Sequence, residues 1–332
     1  MMSFVRDIFK RCMLALFFLM LLCFTSCESS KLPPVGEGET VPFALSNPAI
    51  GPSLQVKGAL SGSQFPNSQS AYPVGLWLMR DGSAVTPQIQ GFANMKAELR
   101  IADGLYSWAY YPGGSAAPNG VHILKAKPLN VRAYYPWKDG ASDLTKIPFT
   151  SGEDDWMVAT PVNLSEAETT GAVVVPLAFS HIMTCIEVSI NLRYEGNVTL
   201  NSVVLSDSQA RLVASGTFNA NNGDISGTPG ASVSLPDLRR SLRSGYWTSV
   251  YFIMPEITGV AAGQLNIQFT FNNVPVEFTL PLDMKVGGQT QTIDAFKKGY
   301  KYTYRLTLDN TIDFVPVGFE EAWKTKEVLL PI

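Results

Sequence analysis

Several stretches in the second half of the chain alternate apolar and polar residues with a period of two, which suits strands and not helices. In 185–194, Ile186, Val188, Ile190 and Leu192 fall on one side, and Glu187, Ser189, Asn191 and Arg193 on the other. In 265–271, Leu265, Ile267, Phe269 and Phe271 alternate with Asn266, Gln268 and Thr270; Asn272-Asn273 then turns the chain into Val274, Val276, Phe278 and Leu280. In 300–308, Tyr300, Tyr302, Tyr304, Leu306 and Leu308 alternate with Lys301, Thr303, Arg305 and Thr307. One buried face and one wet face, strand after strand, is the pattern of a β-sandwich.

The first half reads the same way with shorter runs. Apolar segments at 40–45, 72–79, 96–101, 105–111, 121–124 and 131–135 are punctuated by Asp81-Gly82, Gly113-Gly114, Pro118-Asn119-Gly120 and Lys138-Asp139-Gly140. The 72–79 run is apolar throughout and predicts a central strand; Leu54, Val56 and Leu60 form a weaker run within a Gly-, Ser- and Pro-rich stretch. No stretch carries convincing helical periodicity, and 238–243 (Leu-Arg-Arg-Ser-Leu-Arg) is the one candidate for a helical turn. At 332 residues, with 46% hydrophobic and 16% charged, the chain has ample material for two domains. The expected division is 1–26 leader, 27–39 flexible tether, 40–177 first β-sandwich domain and 178–332 second, with 173–176 closing the first.

The leader predicts the compartment. Arg6, Lys10 and Arg11 precede an apolar run at 13–24, shorter than the roughly 20 residues that span a bilayer. Thr25-Ser26-Cys27 follows and resembles the lipobox of bacterial lipoproteins, which implies acylation of Cys27 as the first mature residue and a hold on the outer membrane through its acyl chains. Cys12 and Cys23 would leave with the leader and Cys27 would be acylated, so Cys185 stands alone and no disulfide forms. The balance of 25 basic against 28 acidic residues becomes more acidic without the leader, which argues against nucleic acid as a partner.

Longer segments, in order along the chain, resemble the fimbrillin-like lipoproteins of Bacteroides-type bacteria. They are 131–137 (Val-Arg-Ala-Tyr-Tyr-Pro-Trp), 155–159 (Asp-Trp-Met-Val-Ala), 176–188, 251–255 (Tyr-Phe-Ile-Met-Pro) and 298–306, with Trp323 near the end. The resemblance implies an all-β fold of two tandem transthyretin-like Greek-key sandwiches. It implies a fimbrial (pilus) subunit or an accessory tip or anchor component, a surface lipoprotein serving cell adhesion. In that family a protease specific for Arg or Lys removes an N-terminal strand, and a neighbouring subunit's strand fills the groove, so the partners are other fimbrial subunits. Carried onto this chain, the removable strand is 40–45, with Val41, Phe43 and Leu45 facing inward. No arginine lies between Cys27 and Arg80, so processing would fall at Lys57, a departure that favours a tip, anchor or accessory role. The segment 327–332 (Glu-Val-Leu-Leu-Pro-Ile) is either a donor strand or an edge strand of its own domain. The alternative reading is a monomeric surface lipoprotein that binds host or bacterial glycans or a host glycoprotein through an exposed Trp108, Trp137 or Trp247.

Catalytic chemistry is hard to assemble. With two histidines, His122 and His181, and one internal cysteine, neither a zinc cluster nor a nucleophile–base pair suggests itself. Ser180 and His181 point to opposite faces, His181 reads as structural, and His122 reads as loop surface. Glu153-Asp154-Asp155 lacks the spacing of a calcium loop and reads as a solvated turn. Arg239, Arg240 and Arg243 beside Tyr246-Trp247 could meet an acidic sugar, though a solvated turn with a core-packing tryptophan is the expectation. Neither enzyme activity, metal nor cofactor is expected.

Overall fold

The computed structural model of the chain describes residues 39–46, 49–50, 71–80, 93–102, 105–286, 289–309 and 312–320. The leader with Cys27, the 54–60 run, Lys57, the Asp81-Gly82 turn, Trp323 and 327–332 lie outside the described residues. What is described is all-β, with short 3-10 turns at Pro112–Gly114 and Ala167–Thr169.

The strand Ala71–Met79 is apolar end to end because both of its faces are covered. It pairs antiparallel with Met95–Ala102 on one side and Leu129–Tyr135 on the other, inside an eight-stranded sheet. Tyr72, Val74, Leu76 and Leu78 enter a core closed from above by a three-stranded sheet of Thr40–Leu45, Val121–Leu124 and Val173–Val175. Trp77 and Met79 enter a different cluster on the opposite face. Between them, Gly75 lies under the Tyr134 ring, where a Cβ would sit 2.1 Å from a ring carbon. Tyr134 has no room to yield: its hydroxyl donates to Asn94 Oδ1 at 2.6 Å and accepts from Lys138 N at 3.2 Å.

The second half repeats the logic. Thr184–Leu192 runs antiparallel to Trp247–Met254 and parallel to Lys301–Leu308, with Ile312–Glu320 at the outer edge. Ile186, Val188, Ile190 and Leu192 meet Val203, Leu205 and Phe269 from the facing sheet of Val198–Asp207, Ser232–Leu235, Arg240–Leu242, Leu265–Phe271 and Val274–Thr279. Asn272 and Asn273 take positive φ in the expected hairpin turn. The 238–243 segment is not a helical turn. Asp237 and Arg239 have positive φ, which a right-handed turn cannot use, and Arg240–Leu242 pairs as a strand with Val198–Leu200.

A third apolar cluster joins the two cores. Trp77, Tyr134, Trp156 and Val158 from the first half pack with Cys185, Phe218, Tyr251 and Ile253 from the second. The strand Ile147–Thr150 pairs with Leu212–Phe218, and Gly152 and Ile253 exchange backbone hydrogen bonds of 3.0 and 2.7 Å. Alternation alone would leave the Cys185–Glu187 face wet; instead the third cluster covers it, and Glu187 is buried against Lys301, Nζ to Oε2 3.3 Å. The Ala178–His181 strand stays in the first-half sheet, so the chain passes between cores from Phe179 to Ile186.

One polar device fixes the turn after Val198–Asp207. The buried Asp207 carboxylate accepts from Arg211 Nε and Nη2 (2.8 and 2.9 Å) and from the backbone N–H groups of Arg211 and Gln209 (2.8 and 3.1 Å). Burial opposes its ionisation, but these four donors outweigh burial and hold the carboxyl below the usual Asp range. Two outcomes are expected in urea melts. Gly75→Ala should destabilise by about 1–3 kcal/mol through overpacking on Tyr134. Asp207→Asn should cost about 1–3 kcal/mol at neutral pH. Because the folded-state pKa of Asp207 is depressed, its contribution is complete above the unfolded carboxyl pKa and is lost as pH falls through the folded value. The gap between wild type and D207N should therefore close in acid and not in base.

Candidate functional site

The Thr40–Leu45 strand occupies an unusual place for a first strand. It lies between Val121–Leu124 and Val173–Val175 as the middle of three, antiparallel to the former and parallel to the latter. The two flanking strands are not neighbours of each other in that sheet, so the middle strand supplies the ladder to both. Strand spacing near 4.8 Å makes the slot one strand wide.

Side chains at i, i+2 and i+4 fill the slot from inside. Val41, Phe43 and Leu45 are buried, Phe43 to 3% exposure, against the first core; Thr40 and Pro42 are exposed. Each such burial stabilises by about 2 kcal/mol. The exit of the strand is held through its backbone. Leu45 N donates to Tyr110 Oη at 2.8 Å, Ser46 N donates to Val175 O at 2.9 Å, and Trp108 Nε1 donates to Ser46 O at 3.0 Å. Burial raises the Tyr110 pKa, so the phenol stays neutral. Pro42 brings no N–H to the ladder, a deficit seldom met in a central strand.

The other sequence-singled residues scatter. His181 Nδ1 lies 2.9 Å from both carboxylate oxygens of Asp155, and both side chains are fully buried, so no substrate reaches the pair. Asp155 therefore does not lie in a solvated turn: it is drawn inward by His181, while Glu153 takes Arg240 Nη2 at 2.6 and 2.5 Å. Nothing in the local sequence announces the pairing of Asp155 with a residue 26 positions on. His122 is exposed, on a strand and not a loop. Trp108 and Trp137 are half-buried and donate to backbone carbonyls of Ser46 and Asn94. Trp247 is not a core residue; it is 48% exposed. Among the described residues no three His, Cys, Asp or Glu side chains come together as a metal site, and no helix is long and apolar enough to cross a membrane.

A family model described as fimbrillin-like matches residues 104–319. Among solved structures, a candidate cell adhesion protein from Bacteroides ovatus aligns with a TM-score of 0.54 at 17% identity, over 87% of this chain and 100% of that one. Candidate cell adhesion proteins from Bacteroides fragilis (TM-score 0.52, 12% identity, 87% and 100% coverage) and Bacteroides uniformis (0.51, 14%, 88% and 100%) share the fold. No curated protein matches the chain.

The slot makes quantitative demands on its occupant. Phe43→Ala should lower the unfolding free energy by about 3–5 kcal/mol. Tyr110→Phe, which strands the Leu45 N–H, should lower it by about 1–3 kcal/mol. Thr40→Ser, on the outer face, should change it by no more than about 0.5 kcal/mol in the same denaturant titration.

Proposed function

As the chain belongs to the fimbrillin-like family, we propose that it is a surface component of fimbriae that serves cell adhesion and joins neighbouring subunits by exchange of the Thr40–Leu45 strand. The observation that carries this reading is the slot: a middle strand with three inward apolar side chains, flanked by two strands that have it as their shared partner. Once vacated, the slot would present two unpaired backbone edges and three apolar pockets, which a neighbour's extended segment could fill. The Tyr110 and Trp108 contacts engage only backbone atoms and would serve an incoming strand of different sequence equally well. The segment 327–332 is a candidate donor for the next subunit, its other reading being an edge strand of its own domain.

Export as a lipoprotein, anchored in the outer membrane by acyl chains on Cys27, belongs to the same reading, as does processing at Lys57. So does the division into domains at 40–177 and 178–332. It is supported by a first core drawn from residues between Val41 and Phe179 and a second from residues between Ile186 and Leu308. The absence of arginine between Cys27 and Arg80 favours a tip, anchor or accessory position over a stalk.

Mass spectrometry of the N-terminus of protein sheared from the native cell surface tests the proposal. A chain beginning at Gly58 is the expected result and means that the first strand has been excised. A chain that keeps acylated Cys27 retains its own strand in the slot, and polymerisation by excision is then wrong for this protein.

A further inference from the structure

Exposed large apolar side chains are concentrated at one pole of the second sandwich. Tyr194, Tyr246, Trp247 and Val274 lie there, at the ends of strands running away from the third cluster. On the outer face of the four-stranded sheet at this pole, Trp247 and Arg305 stand on strands separated by Thr184–Leu192 and meet across it. The Arg305 guanidinium carbon is 5.3 Å from the Trp247 ring centroid. Asn191, opposite Trp247 in register, lies on the strand between them; its Oδ1 is buried and has no hydrogen-bond partner among the described residues.

The chemistry of this patch is specific. A guanidinium placed over an indole ring keeps N–H groups available to a planar anion, and the contact limits the freedom it would lose on binding. Among the described residues Arg305 has no acidic partner, and the exposed Arg193 and Arg243 stand at the same pole likewise unpaired. This concentration occurs in a chain of net charge −3. Glu195 and Asp309 are also exposed at this pole, which disfavours a long polyanion and favours recognition of one anionic group at Arg305. The half-buried Thr307, in register with Asn191, shares this outer face, and Tyr246, next to Trp247 in the chain, is 69% exposed. Aromatic faces, the Thr307 side chain and one guanidinium edge together suit a sugar ring bearing an acid group.

We propose that the Trp247–Arg305 face binds a glycan ending in an anionic sugar, with the ring on the exposed aromatic surface and the carboxylate or sulfate on Arg305. The proposal rests on the surface location argued above but not on strand exchange, since the patch lies in the second sandwich and is present with the first strand in place.

The test is calorimetric titration of the full, unassembled chain with 3′-sialyllactose, 3′-sulfolactose and lactose. At least one of the charged sugars should bind at least about tenfold more tightly than lactose. Preference between them identifies the acid group as carboxylate or sulfate. Trp247→Ala and Arg305→Gln should each weaken that binding by about tenfold or more, and Arg305→Lys, which keeps the charge but loses the planar fork, should weaken it detectably. Unchanged unfolding midpoints in these variants separate loss of the site from loss of the fold; if W247A shifts its midpoint, R305K decides. Failure of both charged sugars at millimolar concentration, equal binding of lactose, or undiminished binding by W247A and R305Q would overturn the proposal. None of these results depends on whether the mature chain begins at Cys27 or Gly58.

Discussion

Backbone pairing is obligatory in a sheet, and in the first sandwich one strand carries that obligation for two others. Val121–Leu124 and Val173–Val175 share the Thr40–Leu45 strand as the partner between them, and the first core is closed from above by the sheet these three make. The chemistry asked of that strand is modest: an extended backbone and apolar side chains at every second position. Tyr110 and Trp108 add hydrogen bonds to its main chain without inspecting its side chains. A slot so defined specifies shape and spacing more than sequence, which under the reading proposed above suits a position that takes more than one occupant.

The second constraint is the third cluster, which decides what each face of the second sandwich becomes. At the Cys185 end, the outer face of the four-stranded sheet is sealed where its Cys185, Tyr251 and Ile253 pack with Trp156 and Phe218, and its acid and base are buried as a pair, Glu187 with Lys301. Glu187 is further satisfied by Ser249 at 2.9 Å and Tyr251 at 3.3 Å, so the buried charge is compensated by hydrogen bonds as well as by Lys301. Burial of Cys185 pushes its thiol pKa up and keeps it unreactive. Toward the other end of the same strands the cover stops, and Trp247 and Arg305 emerge on a face that no described element packs over. One sheet thus serves as an internal wall along half its length and as open surface along the rest.

That division marks the limit of what the sequence could disclose. Period-two alternation located Thr40–Leu45, Thr184–Leu192 and the Leu265–Thr279 hairpin, because burial on one face leaves its imprint on every second residue, and an unbroken apolar run located Ala71–Met79, buried on both. Alternation says nothing about whether a further layer covers the polar face, so Glu187 and Lys301 read as wet. Local charge density made Glu153-Asp154-Asp155 look solvated, when two of the three find partners far along the chain in His181 and Arg240. Positive φ at Asp237 and Arg239 was equally invisible, since neither residue type demands it, and so a short strand read as a possible helical turn. Trp247 read as core because tryptophan usually is; only its place at the uncovered end of a strand makes it surface.

Exchange of one apolar strand for another of similar pattern changes the free energy of the slot little, because the same pockets and the same ladder are refilled. Direction must therefore come from a step that cannot be reversed by the original strand sliding back. A tethered strand returns at high effective concentration, whereas one severed from the chain competes only at its bulk concentration. The stretch joining Thr40–Leu45 to Ala71–Met79 carries a single basic residue, Lys57, so under the reading proposed above the irreversibility of assembly depends on one peptide bond. Pro42 works in the same direction. A central strand that lacks one ladder donor is held by three buried side chains more than by its backbone, and a replacement with a full set of N–H groups and equal apolar reach would be bound more tightly than the strand it displaces.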